Sequence, residues 1–255
     1  MGAPVLEVEA LCKSFGGVHA ISDLSFEVRE GEILGLIGPN GSGKSTTVNS
    51  LAGIFPVTSG TISLGGARID ALPEYARVAK GLARTFQTAS TFSEFTVRQQ
   101  VLLGCSATRK SHPLSSVFGI GRSVDEDAAL EARVDHILNI TGLQAVENDR
   151  VGTISSAQQR FLMIATALAS DPKVILLDEP AAGLVSHERR TLSDLIKSIR
   201  SLGTSVLVIE HHMALIMDVS DRIVVLNFGQ KIAEGTPDDI RKNPVVIDAY
   251  LGEAA

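Results

Sequence analysis

The sequence predicts an α/β fold: a mainly parallel core sheet, an antiparallel β subdomain and an inserted α-helical subdomain. Three observations predict it. First, Gly38-Pro39-Asn40-Gly41-Ser42-Gly43-Lys44-Ser45 follows the apolar run Ile33, Leu34, Leu36, Ile37 and precedes a helical pattern through Val48, Leu51 and Ala52. That is the strand-loop-helix context of a phosphate-binding loop. Second, continuous apolar runs at Val174 to Leu177 and Val206 to Ile209 alternate with helical stretches, as strands buried on both faces of a parallel sheet do. Third, from about Thr96 the periodicity turns helical and, after a loop-like stretch at 106–122, resumes as far as Gly142.

At 255 residues the chain is long enough for one large domain, or one domain with a subdomain. Its 44% hydrophobic and 20% charged residues are those of a globular protein. With 23 Lys and Arg against 29 Asp and Glu, a net charge of -6, it has no basic field for nucleic acid. Cys12 and Cys105 form neither a C-x-x-C motif nor a disulfide framework, which suits a reducing compartment. No apolar run approaches the roughly 18 residues that span a bilayer, and no basic-then-apolar leader opens the sequence. A soluble or peripheral cytosolic protein is expected.

Taken in order, Val5, Leu6, Val8 and then Leu24, Phe26, Val28 alternate with polar residues and predict two antiparallel half-buried strands flanking the strand before the loop. Phe15, between them in a glycine-flanked turn, reads as a core plug or a ligand contact. In the loop, Gly38, Gly41 and Gly43 let successive N-H groups face a phosphate, and the helix N-terminus adds partial positive charge. Lys44 can reach the β and γ phosphates, and the Ser45 hydroxyl is placed to bind Mg²⁺. The candidate nucleotide-binding residues run from Gly38 through Thr46. Gly65-Gly66 joins Thr61-Ile62-Ser63-Leu64 to Ala67-Arg68-Ile69 as a hairpin, and Arg84-Thr85-Phe86-Gln87 predicts a short strand ending in an amide.

Val97, Val101 and Leu102 share a helix face, and residues 106–122 read as loop. Ser123 with Glu126 forms a capping box, with Asp125, Glu126 and Asp127 in the first turn of a helix whose stripe is Leu130, Val134, Ile137 and Leu138. His136 in that helix reads as a solvated residue. The apolar run from Val174 ends in Asp178-Glu179-Pro180. A helix from His187 to Leu202 follows, then a strand ending at Glu210-His211, a short helix, and Ile223 to Leu226. Phosphate loop, Asp178-Glu179 and His211 therefore all fall at strand carboxyl ends, where such sheets carry their chemistry. A triphosphate on the loop needs Mg²⁺ held by Ser45 and a strand-end carboxylate, which Asp178 supplies, and Glu179 is placed to orient or deprotonate a water.

In this order, GPNGSGKS, Gln87, ISSAQQR (Ile154 to Arg160), VILLDEP ending at Pro180 and His211 resemble, over essentially the whole chain, the ATP-binding cassette (ABC) ATPases that drive membrane transporters. The resemblance implies a P-loop NTPase of ABC type that binds ATP and Mg²⁺. Residues 1–92 and 160–255 would form the nucleotide-binding core and residues 93–159 the helical subdomain. It makes Phe15 the aromatic that stacks on adenine, Gln87 the residue touching Mg²⁺ and the water, and His211 the switch histidine at the γ phosphate. Ser155, Ser156, Ala157 and Gln158 become the signature offered in trans to a second cassette. Integral membrane permease subunits would be the remaining partners, holding the chain on the inner face of the membrane.

GLARTFQ (Gly81 to Gln87), DEPAAGL (Asp178 to Leu184) and KIAEGTPDDIRKNPVVIDAYLGE (Lys231 to Glu253) are most similar to the ATPases of branched-chain amino-acid importers. Related urea and lipopolysaccharide transporters have cassettes with similar endings, and a regulatory cassette of low turnover is a further alternative. Two positions depart from the family. Ala157 stands where the signature has glycine, with a methyl expected to hinder a partner's γ phosphate. Val185 and Ser186 stand where Asp or Asn and then Pro are usual. These departures predict pairing with a different cassette, and faster hydrolysis at this chain's own loop.

Overall fold

The computed structural model describes residues 2–85, 92–105 and 124–251. The expected strand end Phe86-Gln87, the loop at 106–122 and the Ser123–Glu126 capping box lie outside the described residues. Two compact units emerge, residues 1–87 with 173–255, and residues 88–172.

In the first unit, β1 (Pro4–Phe15) and β2 (Val18–Arg29) pair antiparallel, as their alternation predicts. They do not flank the loop's strand. With β4 (Ser59–Leu64) and β5 (Ala67–Arg68) they build a separate four-stranded sheet in the order β2-β1-β4-β5. The physical reason lies in the patterns. An alternating strand buries one face, whereas β3 (Ile33–Ile37) is buried at every position and needs neighbours inside a covered sheet. Its neighbours are β8 (Ser205–Ile209) and β9 (Arg222–Asn227), both parallel to it. β7 (Val174–Asp178) and β6 (Leu82–Arg84) extend the sheet on one side and antiparallel β10 (Gln230–Gly235) closes the other, giving the order β10-β9-β3-β8-β7-β6. One continuous core, with Leu6, Leu24, Leu34, Leu51, Leu176 and Leu207 among its members, joins residues of both sheets to the helix α1 (Lys44–Ala52).

The Gly65-Gly66 hairpin forms as predicted, with positive φ at both residues. Arg77, on α2 (Glu74–Lys80), is buried and donates to the carbonyls of Ser50, Leu51, Asp70 and Leu72. A guanidinium there adds donors to two carbonyls of the last turn of α1, Ser50 and Leu51, at the negative end of the helix.

The second unit contains α3 (Val97–Cys105), α4 (Val124–Ile140) and α5 (Ser156–Leu168). The predicted stripe holds, with Val134, Ile137 and Leu138 buried, Leu130 half-buried and His136 exposed. Arg98 fans out to Glu131, Asp135 and Glu147, fastening α3 to α4 and to the turn that follows it. Helices α6 (Ser186–Ser201), α7 (Met213–Val219), α8 (Pro237–Lys242) and α9 (Pro244–Leu251) belong to the first unit.

Candidate nucleotide site

The chain leaves the carboxyl end of β3 at Ile37, turns through residues 38–43 and enters α1 at Lys44. Two glycines of the turn are sterically required. A Cβ on Gly38 would lie 2.2 Å from the Leu226 carbonyl oxygen, and one on Gly43, at φ +103°, 2.8 Å from that of Ala20. The β9-β10 turn braces the loop, the Gly229 N-H donating to the Ser42 carbonyl at 2.9 Å. Lys44 Nζ curls over the loop and donates to the carbonyls of Gly38 (2.7 Å) and Pro39 (2.8 Å). Asn40 and Ser45 are exposed and Thr46 is half-buried. The result is a curl of main-chain N-H groups, a lysine and a helix N-terminus, a combination that binds anionic phosphates.

β7 and β8 end side by side, Asp178 opposite Ile209. Asp178 is buried, and its Oδ2 accepts from Arg84 at 2.7 Å. Arg84 also donates to Asn49 Oδ1 on α1, so one guanidinium links the loop's helix to the strand end. The other carboxylate oxygen, Oδ1, is buried with no hydrogen-bond partner among the described residues. A lone buried oxygen of this kind costs about 1–3 kcal/mol unless something binds it, and a hard divalent cation is the ligand that suits it. The Asp178 and Ser45 donor set therefore fits Mg²⁺. The third expected contributor, Gln87, lies outside the described residues.

Glu179 takes up φ +46°, a region that non-glycine residues seldom occupy and that is often found at functional sites. Its N-H donates to the Ile209 carbonyl at 2.9 Å, extending the β7-β8 pairing by one step. His211 Nδ1 lies 3.9 Å from Glu179 Oε1, and the imidazole is exposed. An acid and a histidine at this separation can share one water molecule. Sequence reasoning missed two residues here. Arg84 was signalled only as a charge within a short strand, and Glu210 as an acid closing a buried apolar run.

Phe15 is 45% exposed, which removes the core-plug reading. Its ring meets that of Phe55 edge-on at 5.4 Å, and Lys13 Nζ stands 4.7 Å from its centroid. In the helical unit, Ser155 caps α5: its Oγ accepts from the Gln158 N-H, and Gln158 Oε1 accepts from the Ser155 N-H. Ser155 and Ser156 are exposed, but Ala157 is only 8% exposed. Ala157 is thus buried in the first turn of the capped helix, and its methyl does not stand out from the surface. The steric hindrance expected of it loses its basis, and the case for an impaired half-site falls to Val185. That residue is 52% exposed at the start of α6, where its side chain offers no acceptor and only Glu188 bonds back to the Val185 N-H.

A phosphate loop at the end of one parallel strand, with a histidine just past the end of the strand beside it and an Asp-Glu pair at the end of the next strand over, defines a P-loop nucleoside triphosphatase. The family model described as ABC transporter matches residues 21–182, and that of the branched-chain amino acid ATP-binding cassette transporter matches residues 230–255. The high-affinity branched-chain amino acid transport ATP-binding protein BraF of Pseudomonas aeruginosa is 40% identical over 255 residues, all of both chains. LivG of Salmonella typhimurium, described in the same words, is also 40% identical over the full length of both. The crystal structure of an ATP-binding cassette of an ABC transporter in its ADP conformation superposes with a TM-score of 0.83 at 28% identity, covering 98% of this chain and 99% of the other. The chain belongs to the ABC transporter family, as one of its ATP-hydrolysing cassettes.

Proposed function

We propose that this cassette powers an importer of branched-chain amino acids, docked on the cytoplasmic face of the membrane through separate permease subunits. The observation that carries the substrate assignment is the match of residues 230–255, which lie outside the phosphate loop and the Asp178-Glu179 strand end and so speak for subfamily rather than for ATP handling. Among the described residues no helix is long and apolar enough to cross a membrane, in keeping with a chain that needs such subunits.

In this reading the N-H groups of Gly38 to Thr46 and Lys44 grip the phosphates, and Phe15 stacks on adenine. Ser45, Asp178 and Gln87 hold Mg²⁺, which when bound neutralises charge on the β and γ phosphates. Glu179 takes the proton of the attacking water as general base. His211, beside it, donates to the γ phosphate. The unit of residues 1–87 and 173–255 would serve as the nucleotide-binding core, and the unit of residues 88–172 as the helical subdomain. A second cassette, different from this one, receives Ser155 to Gln158 at its own nucleotide.

Two measurements test the proposal. With its permease subunits in vesicles, the chain should drive ATP-dependent uptake of leucine, isoleucine and valine, and uptake of urea alone would overturn the substrate. Lys44→Ala should abolish nucleotide binding, whereas Glu179→Gln should bind ATP normally and hydrolyse it on the order of a hundredfold more slowly. Near wild-type turnover by Glu179→Gln would remove Glu179 as the base.

A further inference from the structure

We infer that Glu210 is a positioning residue: its buried carboxylate fastens the turn carrying Glu179 to the segment carrying His211, and so sets the separation of those two side chains. The inference rests on the reading of Glu179 and His211 as the groups that handle the water and the γ phosphate.

Glu210 is the first residue beyond β8, as Glu179 is beyond β7, and its side chain is 0% exposed. One oxygen, Oε1, accepts from the Ala181 N-H at 2.7 Å. The other, Oε2, accepts from the N-H groups of His211 and His212, each at 3.1 Å. Three main-chain donors from two chain segments thus converge on one carboxylate, which sits between the segments as a clamp. Each donor belongs to a stretch that has just left its strand and has no ladder partner to hold it.

The clamp acts where the backbone needs it. Glu179 holds its left-handed φ of +46° in a turn closed by a weak 3.2 Å bond from the Ala182 N-H to its own carbonyl. Such a conformation persists only when its surroundings enforce it. The bond from Ala181 to Glu210 supplies that enforcement from the neighbouring strand end. On the other side, Oε2 fixes the main chain at the root of His211, whose Nδ1 lies 4.0 Å from Oε2 and 3.9 Å from Glu179 Oε1. A carboxylate suits this place because it has acceptors only. A glutamine of the same shape would turn its NH₂ group toward one set of N-H donors and break one of the two ties.

The experiment uses the purified full chain, with and without the membrane subunits that co-purify with it. Glu210→Gln should lower kcat by about ten- to a hundredfold, the scale of a misplaced catalytic group, while the ATP dissociation constant stays within about twofold. Combined with Glu179→Gln it should cost nothing further, because it acts through Glu179. Amide hydrogen exchange should quicken at Ala181 or at His211 and His212, and not across the sheet. Should Glu210→Gln fail to fold, Glu210→Asp decides: it keeps the charge and the nearby N-H groups but falls short of Ala181, and should show the same loss of kcat. Wild-type turnover in the folded variant, or equal loss of ATP affinity with sheet-wide exchange, would overturn the inference alone. Absence of ATP turnover in the wild-type chain itself would overturn the reading beneath it as well.

Discussion

Asp178 divides its two oxygens between different tasks, one held by Arg84 and one left with no partner among the described residues. That division makes Arg84→Met informative. Removing one partner of a buried pair strands the other charge, and the free chain should lose about 3–5 kcal/mol. Mg²⁺ with ATP supplies a new partner to Asp178, so the ligand should stabilise this variant more than it stabilises the wild type. Chemical denaturation with and without Mg²⁺-ATP measures the difference, and equal ligand stabilisation in both proteins would mean that Asp178 does not face the metal. Phe15 tests the base end of the site. Being largely exposed, it can be cut to Ala with a change in fold stability of about 0.5 kcal/mol or less, while ATP binding should weaken by about 1–3 kcal/mol, the scale of base-aromatic stacking. Destabilisation of the fold with unchanged ATP affinity would point to packing instead.

The helices differ in how well their first turns are closed, and the differences are read directly from their caps. α5 has the reciprocal Ser155-Gln158 box, and α8 opens with Thr236 and Asp239 in the same arrangement, the hydrogen bond from Thr236 holding the Asp239 carboxyl below its ordinary pKa. α6 has half a box, because Val185 can receive the Glu188 bond at its N-H but has no oxygen to return. Val185→Asp should supply that oxygen and raise the stability of the isolated chain by about 1 kcal/mol, visible as a higher Tm. A lower Tm would show that the valine side chain makes packing contacts worth more than the cap.

At the scale of the whole molecule, three parallel strand ends deliver the loop, the Asp-Glu pair and the histidine to one edge of the six-stranded sheet. The antiparallel sheet supplies Phe15 from the last residue of β1. The helical unit carries Phe92 and Phe95 on its surface, exposed and stacked with ring centroids 4.8 Å apart. In the proposed importer, the permease subunits would cover these exposed, paired rings. Phe92→Ser should therefore leave ATP binding intact and reduce the stimulation of hydrolysis by those subunits. Loss of soluble protein would instead assign the ring to internal packing.

Much of the site was legible in the sequence because its signals are local. A phosphate loop is eight consecutive residues, Asp178 and Glu179 end a run of buried aliphatics, and the hairpin at Gly65-Gly66 is set by two φ angles. Each is dictated by the chemistry of neighbours in the chain, and each could be read without knowing what lay across from it. Other features depend on strand order. Alternation showed that β1 and β2 pair, yet their sheet and the neighbours of β3 followed only from which strands could be buried on both faces. Arg84 meets Asp178 across 94 positions and Glu210 meets Ala181 across 29, contacts that exist because β6, β7 and β8 lie side by side. The burial of Ala157 was decided likewise by its place in the first turn of α5, not by its identity. The sequence by itself determined which chemical groups the protein has and the local backbone that carries them. Only the tertiary structure decided which groups face each other, because those pairings are set by long-range strand and helix packing that no short window of sequence records.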